Sequence, residues 1–117
     1  MSSKRILIIE DEPLIAMMLE DFIETLGYEI CETVDTVENA LAAVANSSCD
    51  IAIVDVNLRH GEASWPVADA LHEAGIPFLL ASGGQLEEPP ERHSGRIYLS
   101  KPYTLDAVET AINAAFA

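Results

Sequence analysis

The stretch Ile51-Ala52-Ile53-Val54 is a short, unbroken apolar run that ends at Asp55. Similar runs fill residues 6–9 (Ile-Leu-Ile-Ile) and residues 78–81 (Phe-Leu-Leu-Ala). Apolar runs of strand length without polar alternation are typical of strands buried on both faces, as in parallel sheets. Residues 29–34 are more polar and residues 96–99 are a short segment, so we expect these two to form edge strands.

Helical patterns follow the first, second, third and fifth of these strands. Thr36, Ser64 and Thr104 precede such patterns and suit helix N-caps, whereas Gly27 and Gly75 follow two of them and suit helix ends. Apolar residues recur at three- and four-residue intervals in each helical segment. They are Ile15, Leu19, Phe22 and Leu26; Val37, Ala40, Leu41 and Val44; Val67, Ala70, Leu71 and Ala74; and Leu105, Val108, Ile112 and Ala115.

The alternation of strands and helices predicts an α/β fold with a parallel sheet and helices on both faces. Placing the most apolar strands inside gives a five-stranded flavodoxin-like sheet of order 2-1-3-4-5. A regular alternation would place a fourth helix within residues 83–96. Only Leu86 is large and apolar there, and Pro89-Pro90 interrupts helical hydrogen bonding, so we expect that helix to be short or absent. The length of 117 residues predicts a single domain, 1–117.

Composition excludes several classes of protein. Six Lys and Arg against twenty Asp and Glu give a net charge of −14, which argues against binding to nucleic acid or to anionic membranes. No apolar run reaches the roughly 18 residues of a membrane span, and the N-terminal run is too short for a signal peptide. Cys31 and Cys49 lack metal-type spacing, so we expect buried free thiols and a cytoplasmic protein.

Polar residues follow four of the five strands, at the edge where an open α/β sheet binds ligands. Glu10 and Asp11 follow the first strand, Asp55 the third, Ser82 the fourth and Lys101 the fifth. Carboxylates at close range need a neutralising partner, and an all-oxygen ligand set favours Mg²⁺ or Mn²⁺ over zinc. An ammonium group and a hydroxyl group beside them suit phosphoryl binding. The alternative reading is solvated strand ends, with Asp11 as the N-cap of the first helix.

These residues resemble the receiver domain of two-component response regulators, the CheY-like family. The resemblance rests on residues 6–12, 50–58, 81–83 and 100–103, and it extends over nearly the whole chain. It implies that Asp55 accepts a phosphoryl group and that Glu10, Asp11 and Asp55 hold Mg²⁺. It also implies a further metal ligand in the backbone carbonyl of Asn57, and a catalytic ammonium group in Lys101.

The resemblance further implies how the protein signals. The Ser82 hydroxyl would move toward the phosphoryl group and Tyr98 would act as an aromatic switch, which changes the partner-binding surface. The phosphoryl donor would be a sensor histidine kinase or a histidine phosphotransfer protein, while the downstream partner stays unknown. The protein would be a phosphoacceptor in a phosphorelay and not an enzyme. Residues 77–83 also resemble the fourth strand of FATGUY-type single-domain receivers, with Ser82 where that subgroup has Thr.

Three alternatives stay open at the level of sequence. Haloacid-dehalogenase-like phosphatases also use an Asp nucleophile, Mg²⁺, a hydroxyl residue and a lysine. They usually carry an Asp-x-Asp pair on the first strand, whereas Asp55 follows the third strand and position 57 is Asn57. A pseudo-receiver would bind partners without phosphorylation. The chain could also be a fragment of a larger response regulator with a separate effector domain.

Overall fold

The computed structural model describes residues 4–46, 49–56, 63–82, 97–100 and 103–116. Five strands and four helices are described along the chain. They are β1 (Arg5–Ile9), α1 (Pro13–Thr25), β2 (Glu29–Val34), α2 (Val37–Asn46), β3 (Ile51–Asp55), α3 (Trp65–Ala74), β4 (Phe78–Ser82), β5 (Tyr98–Ser100) and α4 (Leu105–Phe116).

The five strands form one sheet of order β2-β1-β3-β4-β5, and every neighbouring pair is parallel. This arrangement confirms the predicted flavodoxin-like sheet, with the polar β2 and the short β5 at its edges. The prediction of a short or absent helix within residues 83–96 falls outside the described residues.

The core divides into two clusters because successive strand residues point to opposite faces. Leu7 and Ile9 of β1 pack on the face covered by α2 and α3. Ile6 and Ile8 pack on the other face, together with side chains of α1 and α4. Both faces of the central strands are therefore buried, which explains the continuous apolar runs 6–9, 51–54 and 78–81 within β1, β3 and β4.

The helix starts agree with the three predicted N-cap positions. Thr36 Oγ1 accepts a hydrogen bond from the backbone N–H of Asn39, and Thr104 Oγ1 accepts one from Ala107, each at 3.1 Å. Ser64 occupies the N-cap position of α3 but makes no side-chain capping bond. The predicted N-cap position of Ser64 is therefore confirmed, and its hydroxyl group donates to the carbonyl of Val56 at 3.1 Å.

The two cysteines form a disulfide bond, so the prediction of free thiols is wrong. Cys31 lies where the β1–β2 register slips by one residue, since Ile6 pairs with Ile30 and Leu7 with Glu32. Cys49 lies two residues before the start of β3, and the two Cα atoms are 5.8 Å apart. The strand order brings the cysteines together, and their separation in sequence gives no sign of it.

The helices in the described part of the chain are all too short or too polar to cross a lipid bilayer.

Candidate functional site

Two acidic residues lie buried at the carboxyl ends of neighbouring strands. Glu10 follows Ile8 by two positions and Asp55 follows Ile53 by two, so both continue the row of side chains that faces α1 and α4. Only 3% of Glu10 and 4% of Asp55 is exposed to solvent. Burial of two carboxylates at one edge of a sheet is unfavourable without compensation, and this is typical of functional sites.

Backbone hydrogen bonds hold the end of β1 in place. The N–H of Glu10 donates to the carbonyl of Val34 at 3.0 Å, which extends the β1–β2 ladder by one residue. The N–H of Glu12 donates to Oε2 of Glu10 at 3.1 Å, so the chain turns around this carboxylate before α1 begins. The N-cap of α1 is Glu12, without a side-chain capping bond. Asp11 is therefore not the N-cap, and the alternative reading of this residue is wrong.

The end of β3 is fixed in a similar way. Asp55 pairs with Ala81 of β4, and the N–H of Val56 donates to the carbonyl of Ala81 at 2.9 Å. The carbonyl of Val56 then accepts two hydrogen bonds from the fully buried Ser64, one from its N–H at 3.0 Å and one from its hydroxyl at 3.1 Å. These bonds tie the start of α3 to the strand that carries Asp55.

Glu10, Asp11 and Asp55 together form a group of carboxylates. One oxygen atom from each residue lies within 4.8 Å of the others. A set made only of carboxylate oxygens matches the ligands that Mg²⁺ and Mn²⁺ prefer, and a divalent cation would relieve the mutual repulsion of the three charges. The residues present therefore fit the predicted metal.

The other predicted site residues are described only in part. Ser82 is the last residue of β4 and pairs with Ser100 of β5, so its backbone lies at the same edge of the sheet, while its side chain lies outside the described atoms. Asn57 and Lys101 lie outside the described residues. Tyr98 pairs with Leu80 and is half-buried against the core cluster on the α2–α3 side.

Tyr103 is a residue of this site that sequence reasoning assigned no role. Its side chain is 5% exposed and packs in the core cluster beneath α1 and α4. Its buried hydroxyl group has no hydrogen-bond partner among the described residues. Burial, followed by the negative charges of Glu10 and Asp55, raises the pKa of the Tyr103 phenol well above its usual value. The only sequence signal was its position directly after Lys101-Pro102.

Comparison with known proteins identifies the class to which this fold and this site belong. The family model described as "Response regulator receiver domain" matches residues 6–63. The receiver (REC) domain of the PhyR response regulator from Erythrobacter litoralis is 31% identical in sequence. Its structure has a TM-score of 0.80, over 98% of this chain and 91% of that one. The chain therefore belongs to the response regulator receiver family, which decides against a haloacid-dehalogenase-like phosphatase.

Within this family, the chain is most usefully compared with SdrG from Sphingomonas melonis Fr1. The solution structure of SdrG is 52% identical in sequence, with a TM-score of 0.89 and complete coverage of both chains. The BeF3-activated conformation of SdrG, from Pseudomonas melonis Fr1, gives 53% identity and a TM-score of 0.82, over 99% of this chain and 98% of that one.

Curated relatives also include the sensor histidine kinase RcsC of Salmonella typhi, which is 30% identical over 112 residues. That match covers 92% of this chain but only 12% of the kinase. The chain thus spans about an eighth of the length of the curated relatives that it matches.

Proposed function

We propose that this receiver accepts a phosphoryl group on Asp55 in a Mg²⁺-dependent reaction. The observation that carries the proposal is the group of three carboxylates, whose oxygen atoms lie within 4.8 Å of one another at the carboxyl ends of β1 and β3. Asp55 is the member of this group on the central strand β3, where the family resemblance places the phosphoacceptor. Glu10 and Asp11, together with Asp55 itself, are the proposed carboxylate ligands of the cation.

The proposed reaction transfers a phosphoryl group from one nucleophile to another. A carboxylate oxygen of Asp55 forms a bond to phosphorus, and the phosphorus–nitrogen bond of a phosphohistidine breaks. The electron pair of that bond stays on the imidazole of the donor. Such a transfer depends mainly on positioning and on neutralisation of charge spread over the phosphoryl oxygens. Bound Mg²⁺ would supply part of that neutralisation, and the backbone carbonyl of Asn57 is its further proposed ligand.

Two other residues take part in the proposal. Lys101 supplies a second positive charge to the phosphoryl oxygens, and the Ser82 hydroxyl group donates a hydrogen bond to one of them. Movement of Ser82 and Tyr98 would then shift the protein toward a second surface arrangement. Tyr98 is half-buried on edge strand β5, so a change in its position would alter the exposed surface at this edge of the sheet.

We further propose that the chain, 1–117, acts as a stand-alone receiver of the FATGUY type in a phosphorelay. The support is its match to SdrG over the full length of both chains, and residues 77–83 of its fourth strand. The proposed donor is a sensor histidine kinase or a histidine phosphotransfer protein. We place the protein in the cytoplasm because a sensor histidine kinase takes its phosphoryl group from ATP.

Incubation with acetyl phosphate and Mg²⁺, followed by intact-mass measurement, tests the proposed function. The wild-type protein should gain the mass of one phosphoryl group, and Asp55→Asn should gain none. Asp50→Asn is the matched control because Asp50 lies next to the opposite end of β3, where its side chain accepts a hydrogen bond from the N–H of Arg5. Labelling of Asp55→Asn at the wild-type level, or no labelling of the wild type, would contradict the proposal. Absence of labelling in the wild type is also the result expected of a pseudo-receiver.

A further inference from the structure

Tyr103 brings a hydrogen-bond donor to the carboxylate group from a separate element, the segment between β5 and α4. The ring is held by apolar neighbours on the face of the sheet that also carries Glu10 and Asp55. The hydroxyl group is buried and has no hydrogen-bond partner among the described residues. A buried hydroxyl group that lacks a partner destabilises a protein, and such groups in a native structure call for an explanation.

The surroundings of the hydroxyl group indicate what kind of partner it could gain. Among the described residues, Glu10 and Asp55 are the charged groups whose negative charge contributes to the raised pKa of the Tyr103 phenol. Phosphorylation at Asp55 would bring further oxygen atoms into this buried edge of the sheet, and phosphoryl oxygens accept hydrogen bonds from O–H donors. The resting site lacks these atoms, whereas the phosphorylated site contains them.

We infer that Tyr103 is a positioning residue of the phosphorylation site, whose phenol O–H lacks an acceptor at rest and donates to the phosphoryl group on Asp55. This inference rests on the proposed function. It gives the hydroxyl group opposite effects in the two states. In the resting protein the hydroxyl group contributes nothing to the stability of the fold or lowers it. In the phosphorylated protein the hydroxyl group stabilises the phosphorylated site.

Tyr103→Phe tests the inference because it retains the ring and removes only the hydroxyl group. Beryllofluoride with Mg²⁺ serves as the probe, as a stable mimic of the phosphoryl group. Its affinity is measured by titration with the fluorescence of Trp65, which lies at the start of α3. Thermal unfolding without the probe reports on the resting state. Tyr28→Phe is the matched control, since its phenol contacts Asn113 Oδ1 at 3.5 Å, away from the carboxylates.

We expect Tyr103→Phe to unfold at the wild-type temperature or above it, and to bind beryllofluoride roughly tenfold more weakly. Tyr28→Phe should bind beryllofluoride like the wild type. In wild-type protein labelled with carbon-13 at the tyrosine ζ position, the Tyr103 resonance should shift when the probe binds. A merely structural ring would leave both the affinity and this resonance unchanged.

Three results would overturn the inference. Equal affinity of the wild type and Tyr103→Phe would contradict it while leaving the proposed function intact. A markedly lower unfolding temperature of Tyr103→Phe would show that the hydroxyl group already has a partner at rest. A wild-type protein that does not bind beryllofluoride would contradict the proposed function, and with it the inference.

Discussion

Glu10 and Asp55 are acidic residues in positions that strand periodicity would otherwise fill with apolar side chains. Each continues a row of buried isoleucines, and each ends with less than a twentieth of its surface exposed. The hydrogen bond from the N–H of Glu12 to the Glu10 carboxylate compensates part of the resulting loss of hydration. The sequence therefore retains two unfavourable residues at one edge of the sheet, which is the arrangement that a cation-dependent site requires.

Asp11→Asn should weaken Mg²⁺ binding by at least about tenfold, or about 1.4 kcal/mol, because it removes one of three carboxylates around the cation. Isothermal titration calorimetry with MgCl₂ measures this change. Asp21→Asn is the control, since Asp21 is exposed on α1. Equal affinity in Asp11→Asn and the wild type would remove Asp11 from the metal site.

Lys101→Ala should leave the fold intact and slow phosphorylation by acetyl phosphate on the order of a hundredfold, because one positive charge on the phosphoryl oxygens is lost. Circular dichroism checks the fold, and the time course of intact mass gives the rate. Lys4→Ala provides the matched control, as Lys4 is the other lysine of the chain and precedes β1. A wild-type rate in Lys101→Ala would contradict the role of this lysine.

Residue-level prediction from sequence was successful where strand periodicity applied. Glu10, Asp11 and Asp55 directly follow or end apolar runs, so their common location follows from the alignment of parallel strands. Tyr103 lies beyond a strand end, where no periodicity fixes the direction of a side chain. Its position near Glu10 and Asp55 results from tertiary packing, and sequence patterns could not show it.

At the scale of elements, continuous apolar runs identified the central strands, and hydroxyl residues identified the starts of α2 and α4. The prediction of the buried face of α1 was less accurate. Ala16, Leu19 and Ile23 are its fully buried residues, whereas the predicted Ile15 is only partly buried. The apolar stripe of α1 is wide, so spacing alone did not define which edge of it meets the sheet.

The disulfide bond gives a prediction at this scale, because it joins β2 to the connection before β3. The two cysteines are 18 residues apart in sequence, and closing a loop of this size stabilises a fold by about 3 kcal/mol. Cys31→Ser should therefore lower the free energy of unfolding by about that amount in urea titrations without reductant.

Reductant supplies the control for this experiment. With dithiothreitol, Cys31→Ser and the wild type should differ by much less, since neither then has the cross-link. Thiol titration of unfolded, unreduced wild-type protein should detect no free thiol. Two free thiols in that titration would contradict the disulfide bond.

At the scale of the whole molecule, a net charge of −14 acts on a compact body with a radius of gyration of 12.8 Å. Self-repulsion of this kind destabilises the folded state and is weakened by salt. The three clustered carboxylates add a local repulsion. Dissolved salt screens this repulsion less than it screens the surface charges, because the three carboxylates are partly or fully buried.

Mg²⁺ should consequently stabilise the protein more than NaCl at equal ionic strength. At a Mg²⁺ concentration a hundredfold above its dissociation constant, the gain from binding is about 2.7 kcal/mol. Thermal unfolding in MgCl₂ and in matched NaCl measures the difference. Equal unfolding temperatures in the two salts would indicate screening alone and no specific site.

The most direct measurement locates the phosphoryl group itself. The protein is incubated with acetyl phosphate and Mg²⁺, the acyl phosphate is reduced with borohydride, and the peptides are sequenced by mass spectrometry. We expect reduction of a single aspartate to homoserine, at position 55. Reduction at another carboxylate, or at none while intact mass shows a phosphoryl group, would contradict the assignment of Asp55 as the phosphoacceptor.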